Sequence, residues 1–600
     1  MLGRIISIGE SSIEIELNID LTKAGNLINY HVVIESSDLK LIGEIKQVNG
    51  NEALINLVGE LKDNTFVSGI IRRPSFNAVC RIINKQELDI MLGNTIIDKD
   101  ECLYIGGIPM YNNYPVNIRI NDFFSNHFAI FGNTGSGKSY GVARILQNLF
   151  YRKDNAPINS NIFLFDAYGE YHNAFSKLKE YSPNLNFKTY TTNLTFSETE
   201  VLRIPLWLLG VDDLALLLGA DNHIQLPIIE KALRLVSVFA REEESVIVYK
   251  NDIIARALLQ VLYSGNQPSQ IRDQIFAILT VFNTSELSLE SKIVQPGYIR
   301  TLRQCLIIDK DGKLNEMKLV TEFITQFTTD NLELKLPDGS FKYDLHHLKD
   351  AFEFALISEG ILKSDKVYDY ANILRVRLHA LINSDYSEYF QYDEYITKND
   401  YIEQLLTTVE GNKAQIVNFN ISYIDDRLSK TITKIYSKML YDYATRLKER
   451  TTVPIHIILE EAHRYVQNDK DIFLLGYNIF DRITKEGRKY GVLLGLISQR
   501  PSELSATALS QCSNFLIFKT VHPGDSTYIR EMVPDITSDI VDKLKILRPG
   551  NCVAFGSAFR LPVIIKFDLP NPEPESYSAD ISKIWFTDDS IKEEETMNLN

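Results

Sequence analysis

The sequence predicts an α/β protein: a helix-covered parallel sheet carrying a phosphate-binding loop, preceded by a small β-barrel and interrupted by a helical domain. Three observations lead there. Gly132-Asn133-Thr134-Gly135-Ser136-Gly137-Lys138-Ser139 matches G-x-x-x-x-G-K-[ST] at every fixed position, between the apolar run "HFAIF" and the helical pattern "KSYGVARILQNLF". From His127 onward, apolar strand-like runs alternate with helical periodicity, the rhythm of a parallel sheet covered by helices. Residues 1–110 instead carry short β-rich runs separated by glycine, asparagine and aspartate, as in a small antiparallel barrel.

Taken in order, "RIISIGESSIEIEL", "HVVIE", "LIGEIKQV", "EALINLVGEL" and "VSGIIRRPS" supply the barrel strands of residues 1–110. A barrel of this kind serves either nucleic-acid binding or assembly, and the sequence leaves both open. Residues 111–205 form the first part of the core, with "HFAIF" and "NIFLFD" as strands. Residues 206–400 are helical in period, through "LPIIEKALRLVSVFAREEES", "QIRDQIFAILTVF" and "YDYANILRVRLHALI". They read as a domain inserted between the second and third core strands. Residues 401–570 return to strands: "AQIVNFNI", "IHIILEE", "GVLLGLIS", "NFLIFKT", "NCVAFG" and "LPVIIKF". Residues 571–600 are proline-punctuated and acidic, an extended tail expected to dock through Ile581, Ile584, Trp585 and Phe586.

The bulk numbers narrow the class. A chain of 600 residues exceeds one core, and 45% hydrophobic with 24% charged residues is globular composition. A net charge of −15 argues against a broadly basic surface but leaves room for a basic channel or stripe. The five cysteines are scattered and never in C-x-x-C spacing, so neither a disulfide framework nor a zinc site follows. The N-terminus lacks a basic region before a long apolar core. The most apolar stretch is broken by Asp212 and Asp213 and is too short to span a bilayer. A cytoplasmic protein with no membrane segment is expected.

The chemistry begins at the loop. Its glycines let backbone N–H groups turn toward phosphate oxygens, and the following helix adds its positive end. Asn133, Thr134, Gly135, Ser136, Gly137, Lys138, Ser139 and Tyr140 are therefore the expected nucleotide contacts. Lys138 is suited to the β- and γ-phosphates and Ser139 to Mg²⁺. "VPIHIILEEAHRY" then places Glu460 and Glu461 at the end of an apolar strand, where nucleotide sites of parallel sheets form. Glu460 is assigned to the metal's water shell and Glu461 to the attacking water. Gln499 follows the strand "GVLLGLIS", where its amide is placed to sense the γ-phosphate or to hold the water. Arg488 and Arg482 both qualify as an arginine completing a neighbouring copy's site, and a surface ion pair accounts for either equally well.

"GNTGSGKS", "IFLFDAYGEY", "ILEEAHRY", "KEGRKYGVLLGLISQRPSEL" and "LRPGNCVAFGSAFRLPVIIKF" follow one another as in HerA-type ATPases of the HerA/FtsK group. The chain resembles bacterial members of that family over nearly its whole length, the N-terminal region included, which is similar to the family's HAS barrel. The resemblance implies a RecA-like core, a hexameric ring with ATP and Mg²⁺ between subunits, and translocation of double-stranded DNA. By position it implies phosphate and Mg²⁺ binding for Lys138 and Ser139 and the catalytic carboxylate for Glu461. It further implies the sensor role for Gln499, the trans arginine for Arg488, and a place near the nucleotide for Asp166 and Glu170 of D-x-x-GEY. Two positions depart from the family: Glu460 stands where aspartate is common, and Lys485 where arginine is frequent. The family also implies an effector partner, such as a nuclease of the NurA type or a sirtuin-like NADase, in DNA end processing or anti-phage defence. No nuclease or NADase motif is found in the chain itself. The competing reading is a nucleotide-regulated ring that serves as an assembly platform without moving DNA.

Overall fold

The computed structural model describes residues 1–600 except 21–24, 95–100, 153–154, 182, 196–198, 330–340, 359–364, 534–537, 577–578 and 587–600. The N-terminal strands are β1 (Gly3–Ile8), β2 (Ser12–Leu17), β3 (His31–Ser36), β4 (Leu39–Asn49), β5 (Glu52–Lys62), β6 (Thr65–Ser68) and β7 (Val79–Ile82). They run in the order β2-β1-β7-β3-β4-β5, and pairing of β2 with β5 closes the barrel, leaving β6 on its outside. Alternation explains the closure: Ile13, Ile15, Val32, Ile34, Leu41, Ile45 and Ile55 all point inward and are buried. A Cβ at Gly43 would come within 2.4 Å of Ile55, so this tightly packed wall requires glycine.

The second sheet adds β8 (Cys102–Ile108), β9 (Tyr114–Arg119), β10 (Phe128–Phe131), β11 (Ile162–Asp166), β12 (Phe187–Thr191) and β13 (Glu200–Val201). Beyond a two-stranded hairpin, β14 (Lys292–Gln295) and β15 (Tyr298–Thr301), come β16 (Ile416–Asn420), β17 (Ile455–Leu459), β18 (Val492–Ser498), β19 (Asn514–Phe518), β20 (Asn551–Gly556) and β21 (Val563–Lys566). The order is β13-β12-β16-β11-β17-β18-β10-β19-β20-β21-β8-β9. Pairing is parallel from β13 to β19 and antiparallel from β19 to β9. β10, β11, β18 and β19 are buried at every position, because helices cover both faces. This is an α/β P-loop ATPase fold with a closed N-terminal barrel.

The structure departs from the sequence reading in several places. Cys102–Ile108, grouped with the barrel by its β character, pairs with β9 and β21 in the large sheet. β12 and β13, absent from the expected strands, extend the sheet between β11 and the helical insertion. It also shares one continuous core with the sheet: Leu214, Ile228 and Leu258 belong to the same buried cluster as Phe165 and Phe419. The tail differs too. Ile581 and Trp585 stand 45% and 74% exposed among the described residues, while the side chains of Ile584 and Phe586 lie outside them. Among the described residues no helix is long and apolar enough to cross a membrane.

Barrel and core are joined by polar and apolar contacts. Lys543 reaches Glu44 at 2.5 Å, the Tyr111 hydroxyl accepts from the His31 backbone N–H at 2.8 Å, and Phe66 shares a buried cluster with Leu561.

Candidate functional site

β10 ends at Phe131 and the chain turns through Gly132–Gly137 into the helix Lys138–Phe150. Gly132, Gly135 and Gly137 have φ of 155°, 71° and 101°. At Gly132 a Cβ would lie 2.6 Å from the Cβ of Phe518 and from Ser136 Oγ, so the turn admits only glycine there. Gly137 caps the helix without a side-chain hydrogen bond, leaving the first N–H groups open toward the cavity. The Ser136 carbonyl accepts the Gly550 N–H at 2.9 Å, which braces the loop from behind. Lys138 Nζ rests 3.3 Å from the Asn133 carbonyl.

The carboxyl ends of β10, β17 and β18 frame a cavity of about 550 Å³ lined by Lys138, Ser139, Glu170, Glu460, Glu461 and Gln499, among others. Thr134, Gly135, Gly137 and Tyr140 also line it. Asn133 opens instead into the adjoining cleft, and Ser136 is buried beneath the loop with its hydroxyl unpartnered.

Burial governs the acid groups. Glu460 is 4% exposed, with one carboxyl oxygen unpartnered. Desolvation, aided by Asp166 and Glu170, holds its carboxyl well above the ordinary range. Desolvation also raises Glu170 and lowers Lys138, the latter against the pull of Glu461, Glu460 and Glu170. Glu461 sits in the left-handed region, φ 48° and ψ 46°, a strained conformation for a residue with a Cβ and one concentrated at functional sites. The Arg464 N–H donates to its carbonyl at 2.8 Å and fixes the turn. His463 Nδ1 stands 3.2 Å from both Glu461 Oε2 and Ser498 Oγ. Of the two, Ser498 is the hydrogen-bond partner; Glu461 Oε2 is buried without a hydrogen bond, beside the imidazole.

Asp166 sits behind the cavity wall, beside Glu460. Its carboxylate accepts the N–H groups of Gly169 (2.8 Å), Glu170 (3.0 Å) and Tyr171 (3.0 Å) and does not line the cavity. It shapes the turn that presents Glu170. Gln499 does reach the site: its Oε1 accepts from the Thr134 hydroxyl at 2.6 Å, which leaves the amide N–H₂ free to donate.

Arg488 is not beside this chain's own loop. It lies just before β18, at the opposite, amino edge of the sheet, and is exposed. The seven-residue strand Val492–Ser498 runs between it and Gln499, a span of roughly 20 Å. Arg482 is engaged, lying over Tyr441 and Tyr477 at 5.4 and 5.6 Å and 3.6 Å from Glu486.

Sequence reasoning missed the roof of the site. Residues 571–576 cross the phosphate-loop helix as a strap. Buried Gln147 donates to the Pro572 carbonyl at 2.8 Å and accepts the Asn571 N–H at 2.9 Å. Tyr140 donates to Glu573 at 2.9 Å, and the Glu575 N–H reaches the Glu170 carbonyl at 2.7 Å. Ser576 thereby lines the cavity, with Gly550 and Leu569. A glutamine among the apolar residues of the P-loop helix, buried in the structure, was the one available signal.

The donor set fits a magnesium triphosphate. A cradle of open N–H groups and a lysine faces a wall of carboxyl oxygens, of which Glu170 Oε2, Glu460 Oε2 and Glu461 Oε2 lack hydrogen bonds. Ser139 and Glu460 would hold Mg²⁺, with Glu170 beside them.

Comparison with known proteins follows the same line. The chain is 25% identical over 571 residues to the DNA double-strand break repair helicase HerA of Sulfolobus acidocaldarius, covering 94% of this chain and 87% of that protein. It is 24% identical over 562 residues to the probable helicase MJECL08 of Methanocaldococcus jannaschii, covering 91% and 87%. With the HerA helicase of Pyrococcus furiosus it shares 22% over 529 residues, covering 88% and 78%. The family model described as "Helicase HerA, central domain" matches residues 103–440 of the 600, and the chain belongs to that family.

Proposed function

We propose that the chain is an ATP-hydrolysing motor that assembles as a homohexameric ring, binds Mg²⁺·ATP between neighbouring copies and moves along double-stranded DNA. We further propose that it serves an effector partner, a nuclease of the NurA or related type or a sirtuin-like NADase, in DNA end processing or anti-phage defence. Family membership and relatives named as DNA repair helicases support the motor. One observation carries the shared site: Lys138, Ser139, Glu460, Glu461 and Gln499 converge at one edge of the sheet while Arg488 stands free at the other.

Each residue then has a defined task. The loop N–H groups and Lys138 bind the phosphates and orient the γ-phosphoryl group. Glu461 orients and polarises the attacking water, and its strained backbone aims the carboxylate into the cavity. Gln499 donates an amide N–H toward the γ-phosphate. Mg²⁺, when bound, neutralises phosphate charge. Arg488 of the neighbouring copy supplies the cation that transition-state charge requires.

The test is the ATPase rate of the full chain with and without linear duplex DNA. Stimulation by DNA that vanishes in Glu461→Gln supports the motor. Turnover indifferent to DNA, with nucleotide-dependent assembly retained, would favour a regulatory platform instead.

A further inference from the structure

The turn that carries Glu461 has to be held from outside. A residue with a Cβ in the left-handed region persists only where its surroundings over-determine it. Inside the turn, the Arg464 N–H binds the Glu461 carbonyl at 2.8 Å, so whatever fixes Arg464 also fixes Glu461.

That support comes from the long helix Asp426–Arg446, which follows β16. Asp426, Lys430 and Lys434 recur at every fourth position and so share one face of it. Each grips the segment that follows β17. The Asp426 carboxylate pairs with the Arg464 guanidinium. Lys430 donates to Gln467 Oε1 at 3.0 Å and stands 3.3 Å from Asp469 Oδ2. Lys434, its side chain 2% exposed, pairs with both Asp469 and Asp471. Ser429, on the same side of the helix, meets the Tyr465 hydroxyl at 3.4 Å, and the Arg464 guanidinium lies 5.8 Å over that ring.

The grips differ in kind. A buried ammonium facing two carboxylates is costly to break and anchors the far end of the segment. Asp426 is 83% exposed, and a pair so open to water adds little to stability. Its effect is on where Arg464 points. The stripe runs on to Lys438, which pairs with Asp213 at 3.1 Å and Asp212 at 3.7 Å in the helical insertion, away from the turn.

We propose that this charged stripe aims Glu461: Lys430 and Lys434 fix the segment after β17, and Arg464, held by Asp426, is a positioning residue for the catalytic carboxylate. This rests on Glu461 acting on the attacking water, as above, and adds the elements that place it. Without the Arg464 anchor the turn relaxes toward ordinary backbone geometry and carries the carboxylate away from its target.

The experiment is steady-state and single-turnover ATPase in the full chain, beside titration with a fluorescent ATP analogue. Arg464→Ala should lower kcat about tenfold with nucleotide affinity unchanged, since the loop and Lys138 are untouched. Asp426→Ala should lower kcat in the same way, and Arg464→Lys should retain most activity. Exchanging the charges, Arg464→Asp with Asp426→Arg, should restore part of the loss. Lys438→Ala, which breaks the same stripe away from the turn, should keep the parental kcat. A residue that acts through Glu461 has nothing left to act on in Glu461→Gln, so adding Arg464→Ala there should slow the residual rate no further. If Arg464→Ala lowers that residual rate by its full factor, or weakens nucleotide binding with kcat intact, Arg464 acts on the nucleotide itself and the inference fails. If Arg464→Ala and Asp426→Ala both keep the parental kcat, the stripe is structural only and the inference fails. If Glu461→Gln hydrolyses ATP at the parental rate, the role given to Glu461 fails first.

Discussion

Thr134 Oγ1 donates to Gln499 Oε1 at 2.6 Å, so the phosphate loop and the end of β18 are tied through one side-chain amide whose N–H₂ group still faces the cavity. The donor, not the size of the side chain, is what the γ-phosphate would read. Gln499→Glu should therefore leave ADP affinity nearly unchanged while cutting ATP turnover by about tenfold or more. Equilibrium ADP binding beside steady-state ATPase assays checks the split.

Lys138 and Glu461 should separate binding from chemistry. Lys138→Ala removes the single cation that lines the carboxyl-edge cavity among the described residues, and nucleotide binding should fall below detection in a fluorescent-nucleotide titration. Glu461→Gln keeps the shape but cannot polarise water, so binding should persist while turnover falls by about 10²–10⁴.

Glu460 predicts a pH signature. Burial holds its carboxyl well above the ordinary range in the folded chain. Between the unfolded and folded values the folded chain therefore binds more protons, and this contribution to stability is lost as pH rises through the folded value. Glu460→Gln should raise Tm of the nucleotide-free protein at pH 7–8, by about 1–2 °C, with the difference shrinking toward pH 4.5. Thermal scans across that range test the sign.

The strap offers a structural prediction. Gln147→Leu strands the Pro572 and Ala174 carbonyls and the Asn571 N–H that the amide now satisfies, each worth about 1–3 kcal/mol when buried and unpaired. Limited proteolysis should then cut near residues 571–576 first, with the barrel of residues 1–82 unaffected. Equal protection in the variant would mean that other contacts hold the strap.

What the sequence disclosed, and what it hid, follows from how each contact is encoded. The phosphate loop and the strands β10, β17 and β18 were legible because full or nearly full burial makes apolar runs. β12 and β13 were not, since "FKTYT" mixes polar and apolar residues and β13 has two residues. Glu460 and Glu461 announced themselves by following an apolar strand. The difference between Asp166, consumed by three backbone N–H groups, and Glu170, which lines the cavity, lay in turn geometry that spacing does not carry. The strap was hidden for another reason: its bonds join residues more than four hundred positions apart, which no local pattern records.

The central claim is that each nucleotide site is completed by a neighbouring copy, and mixing Arg488→Ala with Lys138→Ala subunits tests it most directly. Each variant alone should hydrolyse ATP poorly, Arg488→Ala by about 10³–10⁵ relative to the parent, although its own loop still binds nucleotide. Mixed rings place an intact loop against an intact arginine at some interfaces, so ATPase activity should return in part and peak at intermediate ratios. Activity that stays at the level of the separate variants at every ratio, with subunit exchange demonstrated, would contradict the shared site.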